Sequence, residues 1–187
     1  MGTSHSSVEW TLRGPTRLVS TDARTAVPLE DQPYLYQPLS CPTTIRLIKI
    51  LPNKIKGHVV CRLYHFDPSG IPQYTALSYL WGDPTPTGKV YIGDDQVYNS
   101  GHTFARPIHE SLLGFLECMW VQHKYDTYFW TDSLCLDQGN AEEKSHQVPR
   151  MGGIYERAVE TLIWLGHQKE TQEALRIAST PPKAFHE

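Results

Sequence analysis

Long apolar runs, paired cysteines and an excess of basic charge are all missing from these 187 residues, and each absence removes a class of protein. No uninterrupted apolar stretch approaches the roughly 20 residues that a membrane-spanning helix needs. The first thirty residues hold no apolar block of the kind a secretory leader carries. Stable membrane insertion is therefore not expected, and a cytoplasmic address follows by default. The four cysteines, Cys41, Cys61, Cys118 and Cys135, form no C-x-x-C pair, and three lie in stretches patterned as core, so reduced thiols and no zinc are expected. The nine histidines are dispersed; His102 and His109 come nearest to a pair, but no carboxylate or cysteine cluster completes a metal-ligand set, and both read as surface histidines. With 17 Lys and Arg against 20 Asp and Glu, a net charge of −3 and no basic stripe, no nucleic-acid partner is expected.

What is present is a chain that is 40% hydrophobic and 20% charged, enough to bury one core. Residues 1–40 are rich in Ser, Thr and Pro and read as an amino-terminal arm, extended or partly disordered, anchored by Tyr34, Leu35 and Tyr36. Residues 41–180 read as the folded domain and 181–187 as a tail. At the extreme terminus Met1-Gly2-Thr3-Ser4-His5-Ser6 meets the short pattern for acylation at Gly2. No polybasic run follows to add the second anchor that stable attachment needs.

Two apolar runs carry polar groups at their ends: Tyr74 to Asp83, reading YTALSYLWGD, and Phe129 to Gln138, reading FWTDSLCLDQ. A buried strand delivers its fixed polar groups where it leaves the sheet, so Tyr74 to Trp81 and Tyr128 to Leu136 are predicted as central strands, and Glu160 to Leu165 as a third. Ile45 to Leu51 and Val59 to Phe66 are predicted as an antiparallel pair, closed by a turn at Asp67-Pro68-Ser69-Gly70. Lys89 to Ile92 and Gln96 to Tyr98 are expected to form a small inserted hairpin. The clearest helix has Pro107 in its first turn and Ile108, Leu112, Phe115, Leu116 and Met119 on one face. Asn140, followed three places on by Glu143, resembles a capping box opening the next helix, with Glu142 and Glu143 as solvated first-turn residues. Pro149 and Gly152-Gly153 predict a kink or restart there, and Gln168 to Ser179 reads as a last helix. The alternation of strand and helix from Tyr74 onward predicts an α/β domain with right-handed crossovers and a parallel sheet core, flanked by helices.

A parallel sheet places its binding crevice at the carboxyl ends of its strands, gathering Ser78, Trp81, Gly82 and Asp83 with Asp132, Asp137 and Gln138. Two carboxylates and an amide beside a tryptophan suit a ribose and a stacked ring. The plainer reading makes Trp81 rim packing and the aspartates turn caps. Cys135 is not expected to act as a nucleophile, because a thiol between Leu134 and Leu136 should be raised in pKa and unreactive.

The phrases ALSYLWGD and WTDSLCLDQ, followed by Gln147-Val148 with Met151, then Ile154-Tyr155 and Trp164-Leu165-Gly166, resemble the fungal HET (heterokaryon incompatibility) domain in order and spacing. Tyr34 to Leu39 and Ile45 to Pro52 look like that family's lead-in, so the likeness runs from Tyr34 to Gly166. Two departures stand out: Asp137 where Asn is usual, and Lys144 where arginine is common. The extra charge of Asp137 would oppose a phosphate unless Arg106, Lys144 or Arg150 compensates.

HET domains look distantly similar to TIR domains, and that likeness implies a flavodoxin-like sheet and, in some TIR domains, cleavage of NAD with one catalytic glutamate near the start of the helix after the third strand. Carried onto this chain, the resemblance makes Glu170 or Glu173 the candidate, with NAD(P) as substrate and no cofactor required. The family further implies an effector of fungal non-self recognition that triggers regulated cell death, in a homo-oligomer or with other HET or receptor proteins. The competing expectation is a non-enzymatic module that signals by assembling.

Overall fold

The computed structural model describes residues 32–83, 85–94 and 104–166. Among them the elements run β1 (Ile45–Ile50), β2 (Val60–Phe66), β3 (Thr75–Tyr79), β4 (Gly88–Asp94), β5 (Phe104–Ile108), α1 (Glu110–Val121), β6 (Phe129–Trp130), α2 (Asp132–Cys135), α3 (Ala141–Gln147), a 3-10 turn (Val148–Arg150), α4 (Met151–Arg157) and β7 (Glu160–Trp164). The strands form one seven-stranded sheet in the order β5-β4-β2-β1-β6-β3-β7. β6, β3 and β7 run parallel, Thr75 lying opposite Phe129 on one side and Glu160 on the other. β1 is antiparallel to both β6 and β2, and β4 is parallel to β2 but antiparallel to β5. The result is the expected α/β class, with a parallel core at one side of a mixed sheet.

β3 and β6 fall where near-continuous apolar runs place them, because both faces are covered, while β7 forms the exposed edge. Phe129, Trp130, Ala76 and Leu77 are all buried, and α1 packs Leu112, Phe115, Leu116 and Met119 inward. Phe115 meets Phe129 and Trp164 edge to face at ring separations of 5.5 and 5.8 Å, so one helical side chain ties two strands together. α4 covers the sheet with Ile154 and with Tyr155, which packs edge to face on Trp130. Burying side chains of this size contributes roughly 1.5–3 kcal/mol each.

Three expectations need correction. The strand predicted over Tyr128 to Leu136 ends at Trp130, and Asp132–Cys135 turn into a single helical turn after Thr131. Thr131 takes the extended backbone of an N-cap and its carbonyl accepts from the Leu134 and Cys135 N–H groups, which turns the apolar run that follows into a helix. The inserted hairpin is β4 paired with β5; Gln96 to Tyr98 lie outside the described residues, as does the helix expected over Gln168 to Ser179. Pro107 belongs to β5 rather than to a helix, and the helix starts at Glu110. β5 is an edge strand, where a residue without an N–H is tolerated.

The restart at Pro149 is present as the 3-10 turn between α3 and α4. Asn140 caps α3 as expected, its side chain accepting from the Glu143 N–H at 3.1 Å. Glu143, however, is buried instead of solvated. Its carboxylate takes both arms of the fully buried Arg46 guanidinium, at 2.5 and 2.9 Å, and also accepts the Asp137 N–H at 2.8 Å. The same guanidinium donates to Gln37 O, Cys135 O and His65 Nε2, and lies 4.9 Å from the Tyr36 ring centroid. One ion pair thus ties the arm, β1, β2, the end of α2 and α3.

Burial alone would raise the Glu143 pKa. The Arg46 hydrogen bonds, the Asp137 N–H and the Arg46 charge outweigh that and hold it below the usual carboxylate range. A carboxyl depressed by folding stabilises above its unfolded pKa, near 4.3, and that stability is lost as pH falls through the lower folded value. Glu143→Gln should therefore destabilise the protein at pH 7 by about 3–5 kcal/mol, because it strands a buried guanidinium. It should also flatten the acid limb of a urea-midpoint against pH curve. An unchanged midpoint at pH 7 would show the pair to be dispensable.

Candidate functional site

The carboxyl ends of β3 and β6 meet at Trp81 and Asp132, where the Trp81 indole N–H donates to Asp132 Oδ2 at 3.2 Å. Asp132 opens α2, and its backbone carbonyl accepts from Gln138 Nε2 at 2.9 Å, so Gln138 fixes the start of that turn. Gly82 follows with φ +75°, a backbone shape that favours glycine, and lets the chain turn out of β3. Asp83 Oδ1 then caps the Thr85 N–H at 2.7 Å. Ser78 is half-buried one residue before the end of β3, opposite Ile163. Asp137 stands apart in function: its carboxylate caps the Gly139 N–H at 3.0 Å, closing the loop between α2 and α3. Glu170 and Glu173 lie outside the described residues.

Far-edge residues join this corner. β5 is four strands away from β6 in sheet order, yet Arg106 Nη2 donates to Ser133 O at 3.3 Å. His109, immediately after β5, packs on Trp81 at 5.6 Å with 33° between ring planes, so it is no surface histidine. Strand twist of roughly 20–25° per step, accumulated over the sheet, wraps its far edge back toward the strand ends. The arm closes the gap: Tyr36 donates to Leu134 O at 2.9 Å and its ring receives Arg106 at 4.9 Å. Backbone bonds between Tyr34 and Ala105 and between Ala105 and Gln32 attach the arm to β5.

Buried polar atoms with few partners concentrate here: Asp132 Oδ1, Trp130 Nε1, Arg106 Nε and His109 Nδ1 have no hydrogen-bond partner, and the Tyr79 hydroxyl has only the Ser133 and Thr131 hydroxyls beside it. Each such atom costs about 1–3 kcal/mol, and folded proteins keep few of them. Burial pushes the Asp132 carboxyl above its ordinary pKa against the opposing Ser133 N–H and Trp81 N–H. Burial likewise raises the Tyr79 phenol, to about 12, beside the Ser133 and Thr131 hydroxyls. A half-buried carboxyl with one free lone-pair face, surrounded by hydroxyls and an indole, can accept from a diol and stack a planar ring.

Beside it, a cleft of about 800 Å3 runs from Trp81, Gly82 and Asp83 past Glu110 and Leu113 of α1 to Trp164. Trp81 is the wall shared by cleft and polar cluster. A smaller cavity of about 280 Å3 lies between the arm and α3, lined by Cys41, Glu143, His146 and Gln147 among others. Its buried polar groups are already committed, Glu143 to Arg46 and Gln147 to Pro42 O and Thr44 O, and they hold the fold. No group of three metal-ligating side chains is found among the described residues.

Sequence reasoning brought Trp81, Gly82, Asp83 and Asp132 to this corner but missed Tyr36, Tyr79 and His109, and named Arg106 only as a distant cation. Thr131 and Ser133 were readable, since they flank Asp132 in a buried stretch. Of the three cations considered, Arg106 reaches the cluster, whereas Arg150 is spent on Pro42 O and Thr43 O. Cys135 is buried and its thiol is pushed up to about 12 by that burial, as expected of an inert residue.

Comparison with known proteins places the chain in a family. Residues 74–186 match the family Heterokaryon incompatibility protein (HET), and the chain belongs to that family. It is 33% identical over 135 residues to "Heterokaryon incompatibility protein 6, OR allele" of Neurospora crassa, a match covering 68% of this chain. The chain spans about 20% of the length of that relative. No solved structure matches. Among the described residues, no helix is long and apolar enough to cross a membrane.

Two outcomes test the chemistry of this region. An Asp whose folded pKa is raised carries a penalty for ionisation that is present above that pKa and vanishes below the unfolded one. Asp132→Asn should therefore unfold at an equal or higher urea midpoint at pH 7, with the difference narrowing as pH falls and gone by about pH 3; a loss above about 1 kcal/mol at pH 7 would make Asp132 a structural residue. Cys41 is the opposite of Cys135: hydrogen bonding, led by the Thr43 hydroxyl, lowers its thiol to about 7. Iodoacetamide at pH 7 should label Cys41 well ahead of Cys61 and Cys135, and Thr43→Val should move the labelling midpoint upward; equal labelling of all sites would contradict this.

Proposed function

We propose that the chain is the effector module of a fungal non-self recognition system acting in heterokaryon incompatibility, and that it triggers regulated cell death by cleaving NAD(P) when it self-associates. The reading is supported chiefly by one observation: Trp81 and Asp132 are joined at the ends of two parallel strands, amid buried polar groups that lack partners. Such an arrangement offers a ring-stacking surface and a ribose acceptor side by side. In glycohydrolysis water adds to the ribosyl C1′, and the electrons of the C–N bond stay on the ring nitrogen, so nicotinamide leaves neutral. The proton of the water passes to solvent. A carboxylate against the ribose stabilises the oxocarbenium character that develops. Glu170 or Glu173 is assigned that part, with Asp132 binding the sugar and Ser78, Trp81, Gly82 and Asp83 framing the ring.

A second reading, a module that signals by assembly without chemistry, is favoured by the exposed edge strand β7. Ile163 there is 71% exposed, Leu165 just after it 50%, and neighbouring Leu80 80%. Apolar groups on a sheet edge invite pairing with another chain.

Nicotinamide release from NAD, followed at protein concentrations where sedimentation shows oligomers, separates the two. Turnover that falls at least about a hundredfold in Glu170→Gln or Glu173→Gln is expected for loss of a transition-state carboxylate. No release from a demonstrable oligomer would leave the assembly reading, and equal turnover in both variants would remove the glutamate assignment.

A further inference from the structure

The cleft beside α1 has a pronounced charge character. Its lining includes the carboxylates of Asp83, Glu110 and Glu117 and no lysine or arginine. Glu117 is offset by Lys54 at 2.5 Å. The Asp83 carboxylate is held below its ordinary pKa, first by the Thr85 N–H it caps. Glu110 has no ion-pair partner among the described residues, and it stands in the first turn of α1. Aromatic side chains line the same cleft: Trp81 is 39% exposed, and Trp164 is there with it.

The Trp81 ring is not free to turn. Its N–H is held by Asp132, and His109 packs on it, so the exposed part of the indole is a pre-set surface. An indole face attracts a cation, a fixed flat face prefers a flat partner, and unscreened carboxylates repel phosphate. The cleft, at about 800 Å3, is also far larger than an ammonium group requires.

We infer that this cleft takes the positively charged planar ring of the ligand, an N-alkylpyridinium of the kind carried by oxidised nicotinamide nucleotides, against Trp81, with Glu110 supplying the counter-charge. The inference rests on the nucleotide-cleaving reading above and deepens it: the ring enters beside α1 and the phosphates point away from it. Such a site holds the ring while it is charged and loses the electrostatic attraction once the bond breaks and the ring is neutral, which favours release of the product.

The test is binding, measured by calorimetry on the full chain with 1-methylnicotinamide and with neutral nicotinamide, which have nearly the same shape. The cation should bind about tenfold more tightly than the neutral ring, a typical margin for a partly desolvated cation–π contact. Glu110→Gln should remove most of that preference, and Trp81→Phe should retain part of the binding that Trp81→Ala loses. Equal binding of the two rings, a preference untouched by Glu110→Gln, or binding of an oligolysine peptide in place of the pyridinium would each overturn the inference. Turnover of NAD together with any of those results would leave the enzymatic reading standing and this one fallen. Ring binding without turnover, with Glu110 and Trp81 dependence intact, would do the reverse.

Discussion

The rest of the molecule is arranged around one buried guanidinium. Arg46 sits on the central strand β1 with its side chain wholly removed from solvent, and Glu143 closes on it from α3. Taking two charges out of water costs several kcal/mol per ion, and the cost is met only because the geometry is bidentate and nearly every remaining donor finds an acceptor. Those acceptors are what make the pair organising. Gln37 O belongs to the arm, His65 to β2, and Cys135 O to the end of α2. Lysine could not substitute, since a point charge cannot serve several directions in one plane.

The corner at Trp81 and Asp132 inherits its geometry from that arrangement. Asp132 begins the helical turn whose far end Arg46 holds, and Gln138, on the loop that Glu143 anchors through the Asp137 N–H, returns to the Asp132 carbonyl. The carboxyl group is thereby fixed from behind, leaving Trp81 to fix it from the front. The unpartnered Asp132 Oδ1 and Trp130 Nε1 stand in contrast to the fully used donors around Arg46. One polar centre has its groups paired and the other keeps atoms without partners, and the two lie on either side of a four-residue helix.

Much of the fold was legible because local signals and tertiary structure agreed. The parallel trio β3, β6 and β7, the β1–β2 pair, the cap at Asn140 and the break at Pro149 all follow from apolar runs, turn residues or proline. The failures share a cause. Leu134, Cys135 and Leu136 are buried in a helical turn, and a short apolar run does not say whether strand or helix buries it. Pro107 sits in a strand because the arm bridges the outer side of that strand at Ala105 and no bridge is made at 107, a fact about the sheet and not about the proline. Glu143 looked like any first-turn glutamate because its partner is 97 residues away. His109 and Arg106 reach the site only because the sheet coils, which no window of sequence records.

The same long separations bear on how the chain comes into being. Tyr36 waits for Leu134, Arg46 for Glu143 and Pro42 for Arg150, spans of 98, 97 and 108 residues. At ribosomal rates of roughly 5–20 residues per second, the amino-terminal strands spend on the order of ten seconds with their central charge unmatched. High contact order of this kind also slows the final collapse after release. The polar corner is consequently among the last regions to be completed during synthesis, and no nascent fragment that stops short of α3 possesses it.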